Sequence, residues 1–356
     1  MQTGIQIHKT TDSQLEKVDF NNIPFGKIFS DHMFIADYEN GEWKNLRIEP
    51  FGLIPLHPSA MALHYGQAIF EGMKASKNIH GQPMLFRPEQ HSLRLNRSAV
   101  RLCMPEVPEE IFLKGVNALV SIDAGWIPPA KGSALYIRPY LFATDGFLGV
   151  RPSEKYKFMI IACPVGPYYN RPVSLWVETQ YVRAVKGGVG ESKAAGNYAA
   201  ALLPTHEANK RGYDQVMWMD GHHFEYVEEV GTMNIFFVID GMVITPATEG
   251  SILKGITRDT ILQFLKQKGI PVEERKISIS EVIDAYEKGT LQEIFGSGTA
   301  AVVSMVNKIA YKDLVIELSD VAQWKIAPMI KETIDGWRAG TIEDINHWVV
   351  PVNAEY

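Results

Sequence analysis

Cysteine is almost missing: 356 residues carry two, Cys103 and Cys163, with no CxxC spacing between them. Neither a disulfide framework nor a four-cysteine zinc site can be built from such a set. A single disulfide stays open, though a reducing compartment suits the count better. Long apolar runs are missing too, so no segment reads as a membrane helix. The first residues, Met1-Gln-Thr-Gly-Ile-Gln-Ile-His-Lys-Thr10, lack the apolar stretch of a signal peptide and the Arg-rich, acid-poor bias of a transit peptide. A cytoplasmic location is the expectation. Surplus positive charge is also absent: 35 Lys and Arg stand against 41 Asp and Glu, net −6. That argues against a general nucleic-acid binder, but leaves room for a local anion pocket. There is no low-complexity segment and no clear repeat.

What remains is a soluble composition, 46% hydrophobic and 21% charged, on a chain long enough for two domains. Asn40-Gly41 signals a hairpin between Phe34–Tyr38 and Trp43–Arg47. The spacing of Leu93, Leu95, Ala99, Val100 and Leu102 predicts a helix over 91–102, and a second helix follows Pro108. Residues 133–141 and 157–163 read as buried strands. Three prolines within Pro164–Pro172 suggest a linker. Beyond it, strands at 215–219 and 234–238 run into the turn signals Asp220-Gly221 and Asp240-Gly241. A helix over 256–268 stops at Gly269, and Ser280 is expected to cap a helix ending near Lys288. Antiparallel hairpins with separate helices give the fold class α+β in two domains, 1–166 and 177–356, joined by a linker at 167–176.

Chemistry concentrates around Lys193, in Gly187-Gly-Val-Gly-Glu-Ser-Lys193-Ala-Ala-Gly-Asn-Tyr198. Small neighbours let a planar group approach the backbone. Partial burial favours a neutral, nucleophilic amine suited to a Schiff base. An idle lysine on a flexible loop is the competing reading of this window. A P-loop is rejected, because Ser192 and Ala194 stand where a glycine and a magnesium-binding hydroxyl belong. Gly296-Ser-Gly-Thr-Ala-Ala301 fits a dinucleotide fingerprint only weakly; a Gly/Ser/Thr turn offering N–H groups to an anion suits it better. Glu229, in Glu228-Glu-Val-Gly-Thr-Met-Asn234, is either a solvated loop residue or the partner of a protonated ring nitrogen. Lys254-Gly-Ile-Thr-Arg258 opens a helix whose first amides can hold phosphate. His222-His223 lacks an acidic partner at ligand spacing and reads as surface. An amine nucleophile, a ring-nitrogen carboxylate and two phosphate-binding backbones together make the parts list of pyridoxal 5′-phosphate (PLP).

These stretches, with Phe25-Gly-Lys-Ile-Phe-Ser-Asp-His-Met33, Phe70-Glu-Gly-Met-Lys74 and Phe295-Gly-Ser-Gly-Thr-Ala300, resemble the branched-chain amino acid aminotransferases of the fold-type IV PLP class, over nearly the whole chain. The resemblance implies a two-domain fold like that of D-amino acid aminotransferase, PLP as cofactor, and amino acids and 2-oxo acids as substrates in a homodimer. Lys193 would bond the cofactor and shuttle the proton. Glu229 would hold the pyridinium nitrogen and Tyr198 the ring hydroxyl. Arg94 would bind the phosphate with the Ile256 and Thr257 amides and the Thr299 hydroxyl; Arg97 competes with Arg94 for this role. Phe25, Tyr65, Phe70, Tyr136, Tyr168 and Tyr198 would line an aromatic substrate pocket. Thr232 and the Ala300 and Ala301 backbone would receive the α-carboxylate, and Leu148 and Val150 would come from the neighbouring subunit. Arg138 shares a strand face with Tyr136; it is either the partner of a substrate γ-carboxylate or a structural salt bridge. Some relatives carry a redox-sensitive CxxC after the Gly-Thr turn. Here the run is Thr299-Ala-Ala-Val-Val-Ser304, so no thiol regulation is expected there. Within the PLP class, D-amino acid aminotransferase and aminodeoxychorismate lyase are the nearest alternatives; outside it stands an NAD-binding dehydrogenase.

Overall fold

A computed structural model describes residues 4–166 and 171–353. The chain divides into two compact units. One comprises Met1–Tyr168, Ser192–Ala195 and Asp335–Tyr356; the other comprises Tyr169–Glu191 and Gly196–Ile334. The expected boundaries therefore need correcting at the C-terminus, which returns to the first unit.

The first unit holds strands β1 (Gln6–Ile7), β2 (His32–Glu39), β3 (Glu42–Pro50), β4 (Ala68–Phe70), β5 (Met73–Lys77), β6 (Pro83–Phe86), β7 (Ala134–Ala143) and β8 (Tyr156–Val165). Helices α1 (Met61–Tyr65), α2 (Pro88–Arg101) and α3 (Glu109–Ile122) interleave with them. Asn40 and Gly41 both take positive φ, 56° and 82°, as the tight β2–β3 turn demands. Alternation along β7 divides its side chains. Leu135, Ile137 and Leu141 join Phe34, Phe158 and Ile160 in a core with Leu95 and Ala99 of α2 and Phe112, Val116 and Leu119 of α3. Gly115 permits that contact, since a Cβ there would meet the Phe34 ring at 2.8 Å. Tyr136, Arg138, Tyr140 and Phe142 turn to the opposite face.

Pro139 sits within β7 and has no N–H to give. Opposite it the neighbouring strand breaks: β4 pairs with Tyr140–Phe142 and β5 with Leu135–Ile137, leaving Glu71-Gly72 between them. The Glu71 N–H still donates to the Pro139 carbonyl, at 2.7 Å.

The second unit holds β9 (Val173–Val177), β10 (Gln215–Met219), β11 (Val227–Val230), β12 (Met233–Ile239), β13 (Met242–Thr245), β14 (Val272–Glu274), β15 (Leu291–Gly298), β16 (Val302–Tyr311) and β17 (Leu314–Glu317). The helices after Lys193 are α4 (Ala195–Ala200), α5 (Leu202–Lys210), α6 (Ile256–Gln267), α7 (Ile279–Glu287) and α8 (Ile326–Ala339). The sheet runs β11-β10-β9-β16-β15-β12-β13-β14, and β11 also pairs with β12. Strands β11, β10, β9, β16, β15 and β12 thus form a closed ring, which leaves those strands few free edges. Val173, Leu175 and Val177 alternate into its core with Met217, Ile235, Phe237, Ile294 and Ile309, against Ile279 and Val282 of α7.

Three local expectations change. Residues 173–176, assigned to the linker, lie in β9, because their apolar alternation satisfies a core; 167–170 fall outside the described residues. The cap of α7 is Ser278, whose extended backbone lets its hydroxyl accept the Glu281 N–H at 3.1 Å; Ser280 lies inside the helix. Gly296 and Gly298 belong to β15, and the turn is the three residues after them. A Cβ on Gly296 would lie 2.9 Å from the Met233 methyl, so close packing accounts for that glycine.

The chain then returns to the first unit, where β18 (Val349–Pro351) pairs with β6.

Candidate active site

In the first unit Lys193 is fixed by its backbone. Its N–H donates to the Ser98 hydroxyl at 3.0 Å, and its carbonyl accepts the Phe70 N–H at 3.0 Å. Ala194 bridges Ile69 beside it. The amine of half-buried Lys193 lies 4.9 Å from the Phe70 ring centroid. These bonds hold the backbone of the loop in place.

Phe70 also stacks beneath Arg138, whose guanidinium carbon is 4.5 Å from the ring centroid. Arg138 Nη2 donates to the Tyr136 hydroxyl at 2.9 Å, and Phe25 packs edge-on against Tyr136 at 5.5 Å. The half-buried Arg138 has no carboxylate within salt-bridge distance among the described residues, and its Nε is buried without a hydrogen-bond partner. The structural salt bridge considered from sequence is not found among the described residues. Gly72 makes room for this cluster: a Cβ there would sit 2.2 Å from the Tyr136 hydroxyl.

Arg94 is buried and Arg97 exposed, which separates the two phosphate candidates by environment. Arg94 grips the fully buried Glu71 through Nε and Nη2, both at 2.8 Å. The Tyr65 hydroxyl donates to the Leu148 carbonyl at 2.5 Å, while the side chains of Leu148 and Val150 point into solvent. Tyr168 lies outside the described residues.

In the second unit Glu229 shares a sheet face with Trp218 and Asn234, its cross-strand partners. It lines a pocket with Arg183, Asn197, Tyr198, Ala201, Gly231, Thr232 and Leu253. Its carboxylate ion-pairs with the half-buried Arg183, accepts from the Asn234 amide at 3.2 Å and faces the Leu253 N–H at 3.4 Å. Arg183 also donates to the Ser251 carbonyl. The adjoining Glu228 carboxyl is pushed up by burial, against the opposing pull of Ser251 and Arg183.

Helix α6 begins after Gly255, where a Cβ would fall 2.0 Å from Asn234 Oδ1. Only glycine lets the first-turn amides of Ile256 and Thr257 start there, and such amides have no partner within the helix. Thr299, Ala300 and Ala301 form the β15–β16 turn, followed by Val302 at φ 62°, an uncommon state for a β-branched residue. A hairpin here, instead of a helix, removes the dinucleotide reading. No metal-binding cluster of acidic, His or Cys residues occurs among the described residues.

Arg183, Asn234, Glu71 and Ser98 were not assigned roles from sequence. Asn234 stood in a quoted motif, and Glu71 in another. Arg183 offered only the signal of a lone arginine between valine and alanine, just ahead of the glycine run.

The first unit thus carries an amine on a fixed backbone and a buried arginine. The second carries a carboxylate on a pocket wall and a helix N-terminus. The amino-transferase class IV pattern matches residues 68–309, and the chain belongs to that family. Within it, the chain is 49% identical over 346 residues to the probable branched-chain-amino-acid aminotransferase of Staphylococcus epidermidis, covering 96% of each. The crystal structure of the Escherichia coli branched-chain amino acid aminotransferase superposes with TM-score 0.76 at 28% identity, covering 91% of this chain and 99% of that one. The branched-chain amino acid aminotransferase of Thermoproteus uzoniensis with norvaline gives TM-score 0.74 at 27% identity, covering 90% and 100%. A further solved branched-chain aminotransferase of the same fold is complexed with N-(5′-phosphopyridoxyl)-L-glutamate; it gives TM-score 0.73 at 26% identity, covering 89% and 98%. The class IV family is PLP-dependent, and the two-domain fold is that of fold type IV.

Proposed function

We propose that this aminotransferase passes the amino group of L-leucine, L-isoleucine or L-valine to 2-oxoglutarate, reversibly and by ping-pong kinetics, with PLP as cofactor. The products are branched-chain 2-oxo acids and L-glutamate. The observation that carries the reading is Arg138, a guanidinium without an ion-pair partner among the described residues, stacked on aromatic rings. An apolar wall suits an isobutyl group. A second carboxylate against that wall would cost several kcal/mol unless a cation met it.

When bound, PLP supplies an electron sink for the bond broken at the substrate Cα. Lys193 Nζ would hold the cofactor through its aldehyde carbon; displaced from that carbon by the substrate amine, the freed Nζ would be the base that takes the Cα proton and the acid that gives it back. Glu229, braced by Arg183 and Asn234, would keep a proton on the ring nitrogen, and Tyr198 would meet the ring hydroxyl. Arg94, the Ile256 and Thr257 amides and Thr299 take the phosphate. Thr232 with the Ala300 and Ala301 backbone takes the α-carboxylate. Phe25, Tyr65, Phe70, Tyr136 and Tyr168 enclose the side chain.

The reading includes a homodimer. Leu53, Leu63, Leu148 and Val150 are exposed at 102%, 62%, 73% and 89%, and a neighbouring subunit would cover such side chains. Leu148 and Val150 would complete a neighbour's pocket. Both cysteines are free, which suits the cytoplasm.

The test is an absorbance spectrum of the purified protein before and after L-leucine. A band near the visible edge is expected, bleached by L-leucine and restored by 2-oxoglutarate, and missing in Lys193→Ala. A spectrum indifferent to L-leucine but responsive to a D-amino acid would refute the substrate class. A band surviving in Lys193→Ala would refute the linkage.

A further inference from the structure

Glu71 is a carboxylate with no exposure, set in the strand break opposite Pro139. The interruption aims its side chain toward α2, where two residues converge on it. Arg94 donates through Nε and Nη2 at 2.8 Å each, and His91 Nδ1 lies 2.8 Å from Glu71 Oε2. The Gly72 N–H faces the same oxygen at 3.3 Å. Glu71 thus occupies the Nε–Nη2 edge of the Arg94 guanidinium.

The same residues form a closed circuit with the lysine. One helical turn from Arg94, the Ser98 hydroxyl donates to the Arg94 carbonyl at 3.1 Å and accepts the Lys193 N–H at 3.0 Å. The Lys193 carbonyl takes the N–H of Phe70, Glu71's neighbour in sequence.

We propose that Glu71 is a positioning residue that sets the angle of the Arg94 guanidinium, and so governs how tightly the protein holds a phosphorylated cofactor relative to its unphosphorylated form. The proposal rests on the reading of Arg94 as the phosphate arginine. Charge supports it. Burial alone would raise the Glu71 carboxyl, but the Arg94 charge and the bonds from Arg94 and His91 outweigh it and hold Glu71 ionised. Burial also pushes His91 down, so it donates as a neutral ring. A fixed anion with one rigid cation gives a fork that cannot swing, which costs less side-chain entropy when phosphate arrives.

The experiment titrates full-length, cofactor-stripped protein with PLP and with pyridoxal, following fluorescence, in wild type, Arg94→Gln, Glu71→Gln and Glu71→Asp. The quantity read is the pyridoxal-to-PLP ratio of dissociation constants. Arg94→Gln should collapse this ratio; an unchanged ratio would remove Arg94 from the phosphate, and the proposal with it. Given that collapse, Glu71→Gln should lower the ratio about ten- to a hundredfold, as when a charged hydrogen-bond partner is lost, with pyridoxal binding within about threefold of wild type. Equal weakening toward both ligands would mean that Glu71 only supports the fold, and overturns the proposal. Glu71→Asp should fall between, with the same selectivity, and decides the question by the same criteria if Glu71→Gln does not fold.

Discussion

Arg138 shows what one residue can settle. Its charge sits on the Phe70 and Tyr136 rings, with guanidinium-to-centroid distances of 4.5 and 5.3 Å, and no carboxylate neutralises it among the described residues. Ring stacking holds the cation in place without consuming its charge. Arg138→Gln should therefore raise KM for glutamate about ten- to a hundredfold while KM for leucine moves by about threefold or less. Steady-state kinetics on both donors measures the split, and an equal loss on both would remove Arg138 from the γ-carboxylate. At this scale the sequence was partly legible. Lys193 and Glu229, the residues proposed to hold the cofactor, could be picked out because each stands beside small residues in the chain. Their braces do not. Arg183 reaches Glu229 from 46 positions upstream, and Ser98 reaches Lys193 across 95. Such partners are brought together by sheet register, which no local pattern encodes.

Elements were legible where side-chain period and punctuation agree, as in α2, α6 and the β2–β3 hairpin. They were misread where punctuation dominated. The prolines around residue 170 hid β9, and the glycines of β15 suggested a loop although both lie in the strand, Gly296 packed against Met233. The Asp220-Gly221 turn was read correctly as a turn, and the structure adds its mechanism. Asp220 Oδ1 accepts the N–H groups of Glu225 and Tyr226, both at 2.7 Å, and Oδ2 those of His222 and His223 at 3.1 and 3.0 Å. Burial would raise this carboxyl, but the four N–H groups outweigh it and lower its pKa from 3.8 to about 2. A depressed folded pKa means stability that is fully present above the unfolded value and lost as pH falls through the folded one. Asp220→Asn should cost about 1 kcal/mol at neutral pH, allowing for solvent screening at this partly exposed site. The gap from wild type should narrow as pH drops from about 4 toward about 2. Urea denaturation of both proteins across that range provides the measurement. A gap that stays constant or widens with acid would show that the carboxylate charge is not what holds the loop.

At the scale of the whole molecule, the unexpected feature is where the chain ends. Period and punctuation place residues after 177 in one domain, because nothing local marks a return. The return is specified by complementarity between distant segments. Val349–Pro351 pairs antiparallel with Met84–Phe86, and the Val352 N–H continues the contact to the Pro83 carbonyl at 3.0 Å. Trp348 packs edge-on against Phe86 and Trp337 and lies beneath Arg87, while the Asp344 carboxylate takes the Val349 N–H at 2.7 Å. Without this segment β6 would become an open edge, with unpaired backbone groups and an uncovered aromatic cluster. Truncation before Asp344 should therefore weaken the first unit and spare the second. Hydrogen exchange read by mass spectrometry separates the two cases. Peptides covering β5 and β6 should exchange faster in the truncated protein, and peptides covering β12 and β15 should keep wild-type rates, since local opening follows the loss of local contacts. Acceleration confined to β12 and β15, or none in β6, would mean that the C-terminal strand is dispensable to the unit it joins.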